Sequence, residues 1–126
     1  MIDPIKVLYV DDEVINLRVF ELAFKEKFEV YTAKNGALAL EVLNEHPKIH
    51  VVVSDMKMPR MNGIEFITQA KTTHPDTIYF ILTGFGKNEV IKEAMANGLI
   101  KEYIQKPYLK RNLELTIRAS VEELNT

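Results

Sequence analysis

The sequence contains no cysteine, and this absence excludes both disulfide bonds and thiolate metal sites. An excess of positive charge is also lacking. The 16 lysines and arginines and 18 acidic residues give a net charge of −2, which argues against the neutralisation of nucleic-acid phosphates. No apolar run approaches the roughly 20 residues that span a membrane, and residues 1–10 (MIDPIKVLYV) lack the segments of a signal peptide. We therefore expect a cytoplasmic chain that binds neither nucleic acid nor membrane.

The composition is that of one globular domain. A chain of 126 residues is long enough to bury one core but not two. Hydrophobic residues make up 47% and charged residues 27% of the chain, values typical of soluble proteins. No linker, repeat or low-complexity segment interrupts the sequence. We expect residues 1–126 to form a single domain.

Short apolar runs alternate with segments of helical periodicity. This alternation predicts an α/β fold with a doubly wound, five-stranded parallel sheet and five helices. In such sheets ligands bind beyond the carboxyl ends of the strands, so the informative residues are those where strands end. The predicted strands cover residues 5–10, 28–33, 51–54, 77–83 and 101–105, and the predicted helices cover residues 14–27, 36–46, 64–74, 88–97 and 109–124.

Polar side chains follow four of the five predicted strands. Asp11 and Asp12 end the first, Asp55 the third, Thr83 the fourth and Lys106 the fifth. Four of these five have a simpler explanation: Asp12 as a helix cap, Asp55 in an Asx turn, Thr83 as the end of a strand and Lys106 as a solvated charge. Four such residues at four strand ends together favour a functional site.

The chemistry of this set indicates phosphoryl transfer. Clustered carboxylates repel one another and require a cation, and oxygen ligands without nearby histidine or cysteine favour Mg²⁺. A carboxylate beside Mg²⁺ can attack a phosphoryl group and form an aspartyl phosphate. Lys106 and the Thr83 hydroxyl would then contact the phosphoryl oxygens. Asp55 is the predicted phosphoacceptor.

The segments LYVDDE, VVVSDMKMPRMNG, ILTG and YIQKPY resemble the signatures of receiver domains of two-component response regulators. The resemblance covers nearly the whole chain. It implies a flavodoxin-like fold with strand order 2-1-3-4-5. It also implies Mg²⁺-dependent transfer of a phosphoryl group from a phosphohistidine of a sensor histidine kinase or from a phosphotransfer protein. Such a domain is a signalling phosphoacceptor, which catalyses only its own phosphorylation and dephosphorylation.

The resemblance also assigns roles to individual residues. Asp55 matches the phosphorylated aspartate, Asp12 the direct metal ligand and Asp11 the neighbouring acid that helps to hold the ion. Lys57 matches the position whose backbone carbonyl binds Mg²⁺, and Lys106 matches the lysine that pairs with phosphate.

Other matches concern the switch and the surrounding loops. Thr83 and Tyr103 match the switch hydroxyl and the switch aromatic, and Pro107 matches a proline that usually follows a cis peptide bond. A flip of the Tyr103 ring is expected to change the face formed by the fourth helix, fifth strand and fifth helix, which would bind a second copy or an output domain. Pro59 and Gly63 match the loop that shapes the site after Asp55. Lys57 and Phe85 match the positions that control the lifetime of the phosphate. The possible contact residues on the output face are Ile91, Met95, Tyr103 and Tyr108.

The stretch NGLIKEYIQKP is about one residue longer than the usual family pattern. In this respect the chain resembles receivers linked to HD-GYP phosphodiesterases or to hydrogenase-type transcription regulators. No output domain is found within residues 1–126, and the sequence leaves open whether the chain is a fragment or a stand-alone receiver.

The sequence is also compatible with three alternatives. A flavin or nucleotide binder could share the fold, but DDE follows the first strand and no glycine-rich phosphate loop occurs. A phosphatase of the haloacid dehalogenase type would need an acid where Lys57 stands. The third is a degenerate receiver that acts only as a binding module. The histidines His46, His50 and His74 are interpreted as surface residues, and Met56, Met58 and Met61 as packing and loop residues.

Overall fold

A computed structural model of the protein describes residues 3–84, 86 and 88–124. The strands are β1 (Lys6–Val10), β2 (Glu29–Ala33), β3 (Val51–Asp55), β4 (Ile78–Thr83) and β5 (Glu102–Gln105). The helices are α1 (Val14–Phe24), α2 (Gly36–Glu45), α3 (Gly63–Thr73), α4 (Glu89–Ala96) and α5 (Lys110–Leu124). All strand pairs are parallel and the order is β2-β1-β3-β4-β5. The predicted fold class and strand order are therefore confirmed.

The sheet separates two hydrophobic cores. On one face α2, α3 and α4 cover side chains such as Leu8, Val52 and Ile81. On the other face α1 and α5 cover side chains such as Val53 and Phe80. All five residues of β3 are buried, as expected for a central parallel strand with helices on both faces. Because the strands are parallel, their carboxyl ends lie on one rim.

Three helices begin at asparagine caps. The side chains of Asn35, Asn62 and Asn88 each accept a hydrogen bond from a backbone amide in the first turn of α2, α3 and α4. The cap residue of α1 is Glu13, whose side chain makes no capping bond. Asp12 is therefore not the N-cap of the first helix, which leaves its carboxylate at the rim.

Some details differ from the sequence-based expectations. Helix α1 ends at Phe24 and not at Lys27, because the amides of Lys27 and Phe28 both turn back to the carbonyl of Phe24. The three histidines are half-buried and not simply surface residues. His50 Nδ1 accepts the backbone N–H of Lys6 at 3.0 Å, which ties β3 to β1. Within the described ranges, none of the helices is long and apolar enough to cross a membrane.

Candidate functional site

Three acids meet at the carboxyl rim of the sheet. Asp11 and Asp12 follow β1, and Asp55 ends β3, which pairs directly with β1. One carboxylate oxygen from each lies within 4.8 Å of the others. Asp11 and Asp55 are buried, whereas Asp12 is exposed. The neighbouring strands thus bring Asp55 next to the adjacent pair Asp11 and Asp12, from which it is distant in the sequence.

The carboxylate of Asp11 is held by three donors. Tyr9 Oη donates to Asp11 Oδ2 at 2.7 Å, and Asn16 Nδ2 donates to the same oxygen at 3.1 Å. The backbone N–H of Glu13 donates to Oδ1 at 2.9 Å. Burial, together with the hydrogen bond to Asp11, raises the pKa of Tyr9 far above its ordinary value. The phenol therefore remains a donor at neutral pH.

Asp55 forms an ion pair with Lys106. Lys106 Nζ lies 3.0 Å from Asp55 Oδ1, and the Lys106 side chain is 31% exposed. Burial raises the pKa of Asp55 above its ordinary value, and the charges of Asp11 and Asp12 add to this increase. The hydrogen bond and charge of Lys106 act in the opposite direction. The ionised form of Asp55 would therefore be stabilised by a further cation.

The loop after Asp55 is fixed closely to β3 and β4. The Met56 amide donates to the carbonyl of Leu82, and the Gly63 amide donates to the carbonyl of Met56. A Cβ atom at Gly63 would lie 2.4 Å from the Asp55 carbonyl oxygen, so no larger residue fits without movement. A cleft of about 470 Å³ opens beside this loop, and its lining includes Asp12, Met56, Lys57, Met58, Pro59, Asn62, Thr83 and Asn88.

The other predicted site residues lie on the same rim. Thr83 is buried at the end of β4, and its carbonyl accepts the Lys106 amide at 2.7 Å. The peptide bond between Lys106 and Pro107 is cis, which confirms that prediction. Tyr103 is half-buried on β5 and packs against the core under α2, α3 and α4. Phe85 lies outside the described residues.

One predicted contact residue of the output face is placed incorrectly. Ile91 is fully buried in the core, because the inward side of α4 passes through Ile91 and Ala94. Met95 and Tyr108 are half-buried. Ile91 therefore cannot contact a partner without local unfolding. The packing interpretation of the methionines is confirmed, since Met56, Met58 and Met61 pack into or against the α2, α3 and α4 core.

The family described as the response regulator receiver domain has a sequence model that matches residues 7–118. The chain belongs to this receiver domain family. The predicted family is thus confirmed over almost the entire length of the receiver. Its described fold, with five parallel strands in the order 2-1-3-4-5, agrees with that assignment.

Individual relatives support the same conclusion. The receiver is 32% identical over 125 residues to the probable chemotaxis protein CheY of Rhizobium etli, covering 93% of this chain and 92% of that protein. It is 30% identical to the hydrogenase transcriptional regulatory protein HoxA of Bradyrhizobium diazoefficiens, covering 92% of this chain but 24% of that protein. A solved receiver domain protein from Clostridium thermocellum is 30% identical, with a TM-score of 0.89 and coverage of 96% and 97% of the two chains. The receiver spans about a third or less of the length of the first curated relatives it matches.

The sequence did not identify two residues of the site, Tyr9 and Asn16. Both donate to Asp11, one from the strand before it and one from the first turns of α1. A signal for Tyr9 was present, because residues two apart on a strand point to the same face. A tyrosine two positions before Asp11 can therefore reach its carboxylate. Asn16 had no comparable signal, since its approach depends on how α1 packs.

Proposed function

We propose that this receiver is a Mg²⁺-dependent phosphoacceptor in the cytoplasm, and that Asp55 accepts the phosphoryl group. The observation that carries the proposal is the contact of 3.0 Å between Lys106 Nζ and Asp55 Oδ1 beside a cluster of three acids. The ammonium group lies where it can pair with a phosphoryl oxygen on Asp55. Asp55 is largely buried, but 12% of its side chain is exposed, which keeps the carboxylate accessible at one edge.

The residues present fit a magnesium ion. All three side chains are carboxylates, and hard oxygen donors are the ligands that Mg²⁺ prefers. Asp11, Asp12, Asp55 and the backbone carbonyl of Lys57 would hold the ion. When bound, Mg²⁺ would neutralise phosphoryl oxygens and orient the phosphoryl donor.

The protein groups then have distinct tasks. An oxygen of Asp55 attacks phosphorus, and the bond between phosphorus and the imidazole nitrogen of the donor phosphohistidine breaks. The imidazole leaves with the electron pair of that bond, and an acyl phosphate forms on Asp55. Lys106 and the Thr83 hydroxyl offset the charge that develops on the phosphoryl oxygens. The domain acts on its own aspartate, not on an external substrate.

The surface of α1 supports docking of a histidine kinase or a phosphotransfer protein. Four large apolar side chains on this helix are between 50% and 76% exposed: Val14, Ile15, Val19 and Leu22. Val19 also lines a cleft of about 590 Å³ that extends to Lys106 and Tyr108. An exposed apolar helix face beside a reactive site is suited to a helical partner that presents its phosphohistidine.

The output is proposed to arise from Thr83 and Tyr103. Movement of the Thr83 hydroxyl toward a phosphoryl group would vacate space next to β5, and the half-buried ring of Tyr103 can move into it. The face formed by α4, β5 and α5 would then change shape and bind a second copy or an output domain. Similarity to HoxA fits an attached transcription regulator, and an HD-GYP phosphodiesterase is the alternative.

Incubation with acetyl phosphate and Mg²⁺ tests the central assignment. Intact mass spectrometry should show the addition of one phosphoryl group to the parent protein, and the addition should be lost in Asp55→Asn and in the presence of a chelator. Asp76→Asn is the matched control, because Asp76 is exposed just before β4, at the opposite end of that strand from Thr83. Equal labelling of Asp55→Asn and the parent would refute the proposal.

A further inference from the structure

We propose that Tyr9 is a positioning residue for the metal site, which orients the Asp11 carboxylate so that one lone pair of Oδ1 faces the cation. This inference rests on the proposed function, since it concerns the same magnesium ion. The proposed function gives no role to Tyr9, which is neither a metal ligand nor a group that reacts with phosphate.

The Asp11 carboxylate uses most of its capacity to accept hydrogen bonds. An ionised carboxylate offers about four lone-pair positions, two on each oxygen. Among the described residues, Tyr9 and Asn16 occupy both positions of Oδ2, and the Glu13 amide occupies one position of Oδ1. These three donors leave one position on Oδ1. The three donors therefore select which oxygen of Asp11 can interact with a cation or with its bound water.

The Tyr9 side chain is held rigidly in the core. Tyr9 is 3% exposed, and its ring stacks on Phe20 of α1, with ring centroids 4.3 Å apart and planes 7° from parallel. Phe20 in turn packs against Phe24 at 4.7 Å. Because β1 fixes one end of Tyr9 and this aromatic cluster fixes its ring, the hydroxyl is held at a defined place. Because its donor is held in place, the Asp11 carboxylate keeps a defined orientation.

The acceptor of the Tyr9 hydroxyl distinguishes a positioning role from ordinary hydrogen bonding of a buried hydroxyl. A buried tyrosine hydroxyl usually finds some partner. Tyr79 does so at the opposite rim, where its hydroxyl donates to the His74 carbonyl at 2.9 Å. Tyr9 instead donates to a charged group at 2.7 Å, and hydrogen bonds to ionised acceptors are both shorter and stronger. Its removal should therefore change the charged site and not only the core.

The experiment compares Tyr9→Phe with Tyr79→Phe. Both changes keep a buried aromatic ring and remove one hydroxyl hydrogen bond, so both should lower the urea midpoint of unfolding, and Tyr9→Phe should lower it more because its bond is to a charged acceptor. Mg²⁺ affinity is measured by amide NMR titration of the metal-free chain. Tyr9→Phe should weaken Mg²⁺ binding about tenfold or more, the range typical for loss of an outer-shell partner, whereas Tyr79→Phe should bind Mg²⁺ like the parent.

A third variant tests whether both donors to Asp11 Oδ2 contribute to Mg²⁺ binding. Asn16→Ala removes the second donor to this oxygen, and the double variant of Tyr9→Phe with Asn16→Ala should bind Mg²⁺ more weakly than either single variant. Unchanged or tighter Mg²⁺ binding by Tyr9→Phe would overturn the positioning role and leave the phosphoacceptor proposal intact. Failure of the parent itself to bind Mg²⁺ would overturn both.

Discussion

The contact between α3 and the backbone of Asp55 leads to a prediction about Gly63. In Gly63→Ala the new methyl carbon would lie 2.4 Å from the Asp55 carbonyl oxygen and 2.7 Å from Ile81 Cδ1. Because Cβ atoms essentially never approach other heavy atoms closer than 3.0 Å, helix and strand must move apart. Glycine is thus required at position 63 because a side chain there would clash with Asp55 and Ile81.

The cost of that movement follows from what fixes α3. The Gly63 amide donates to the Met56 carbonyl at 2.9 Å, Asn62 and Glu65 form a capping box, and Phe66 and Ile67 are fully buried. Overpacking of this kind costs about 1–3 kcal/mol, and loss of one hydrogen bond costs about 1 kcal/mol. The higher helix propensity of alanine offsets up to about 1 kcal/mol. We expect the free energy of unfolding to fall by about 1–3 kcal/mol.

Gly36→Ala is the matched control. Gly36 also begins a helix, and a Cβ atom there would lie 2.6 Å from Met61 Sδ and 3.3 Å from Phe66 Cβ. The closest atom belongs to a flexible methionine side chain that can adopt another rotamer. We expect a change of less than about 1 kcal/mol. Urea unfolding followed by circular dichroism measures both variants, and a Gly63→Ala variant as stable as Gly36→Ala would refute the reasoning.

Three further predictions concern pH and the proposed switch. Burial, and secondarily the charge of Lys6, lowers the pKa of His50. The protein should therefore lose stability as the pH falls from 6.5 through that lowered pKa. His50→Asn keeps a hydrogen-bond acceptor, so its urea midpoint of unfolding should fall less over the same pH range. Burial raises the pKa of Asp55, so without metal Asp55→Asn should be more stable than the parent at pH 7, and its advantage should disappear as the pH falls through that raised pKa toward 3.8. A gain independent of pH would contradict this. Beryllofluoride with Mg²⁺ should shift amide resonances across residues 87–109, whereas shifts confined to the loops around Asp12, Asp55 and Lys106 would exclude the switch.

Periodic patterns predicted the five strands, the five helices and the α/β class, whereas the strand order was implied by the family resemblance and not by any residue pattern. The periodic patterns were less reliable at the ends of these elements. Phe28 is buried four residues after Phe24, so the apolar spacing of α1 continues past the last helical residue. Periodicity alone cannot distinguish this turn from another turn of helix. The actual end depends on backbone hydrogen bonds that the pattern does not contain.

The positions of the acids, Thr83 and Lys106 were predictable, because parallel strands end on one rim and these residues stand at strand ends. The orientation of α4 was not. Val90 and Ile91 are adjacent apolar residues, yet Val90 is 50% exposed and Ile91 fully buried. Which of the two faces inward is set by packing on the sheet. For the same reason Ile91 was wrongly expected on the output face.

The charges at the rim determine the order of events that the proposed function requires. Three carboxylates and the Lys106 ammonium give a local formal charge of −2. A phosphoryl donor is also anionic, so this charge opposes its approach to Asp55. A bound divalent cation would offset the local charge and lower that barrier, whereas Lys106 alone leaves a net negative charge on this group. Under this proposal Mg²⁺ has to bind before the donor, and the fixed orientation of Asp11 prepares the site for that first step.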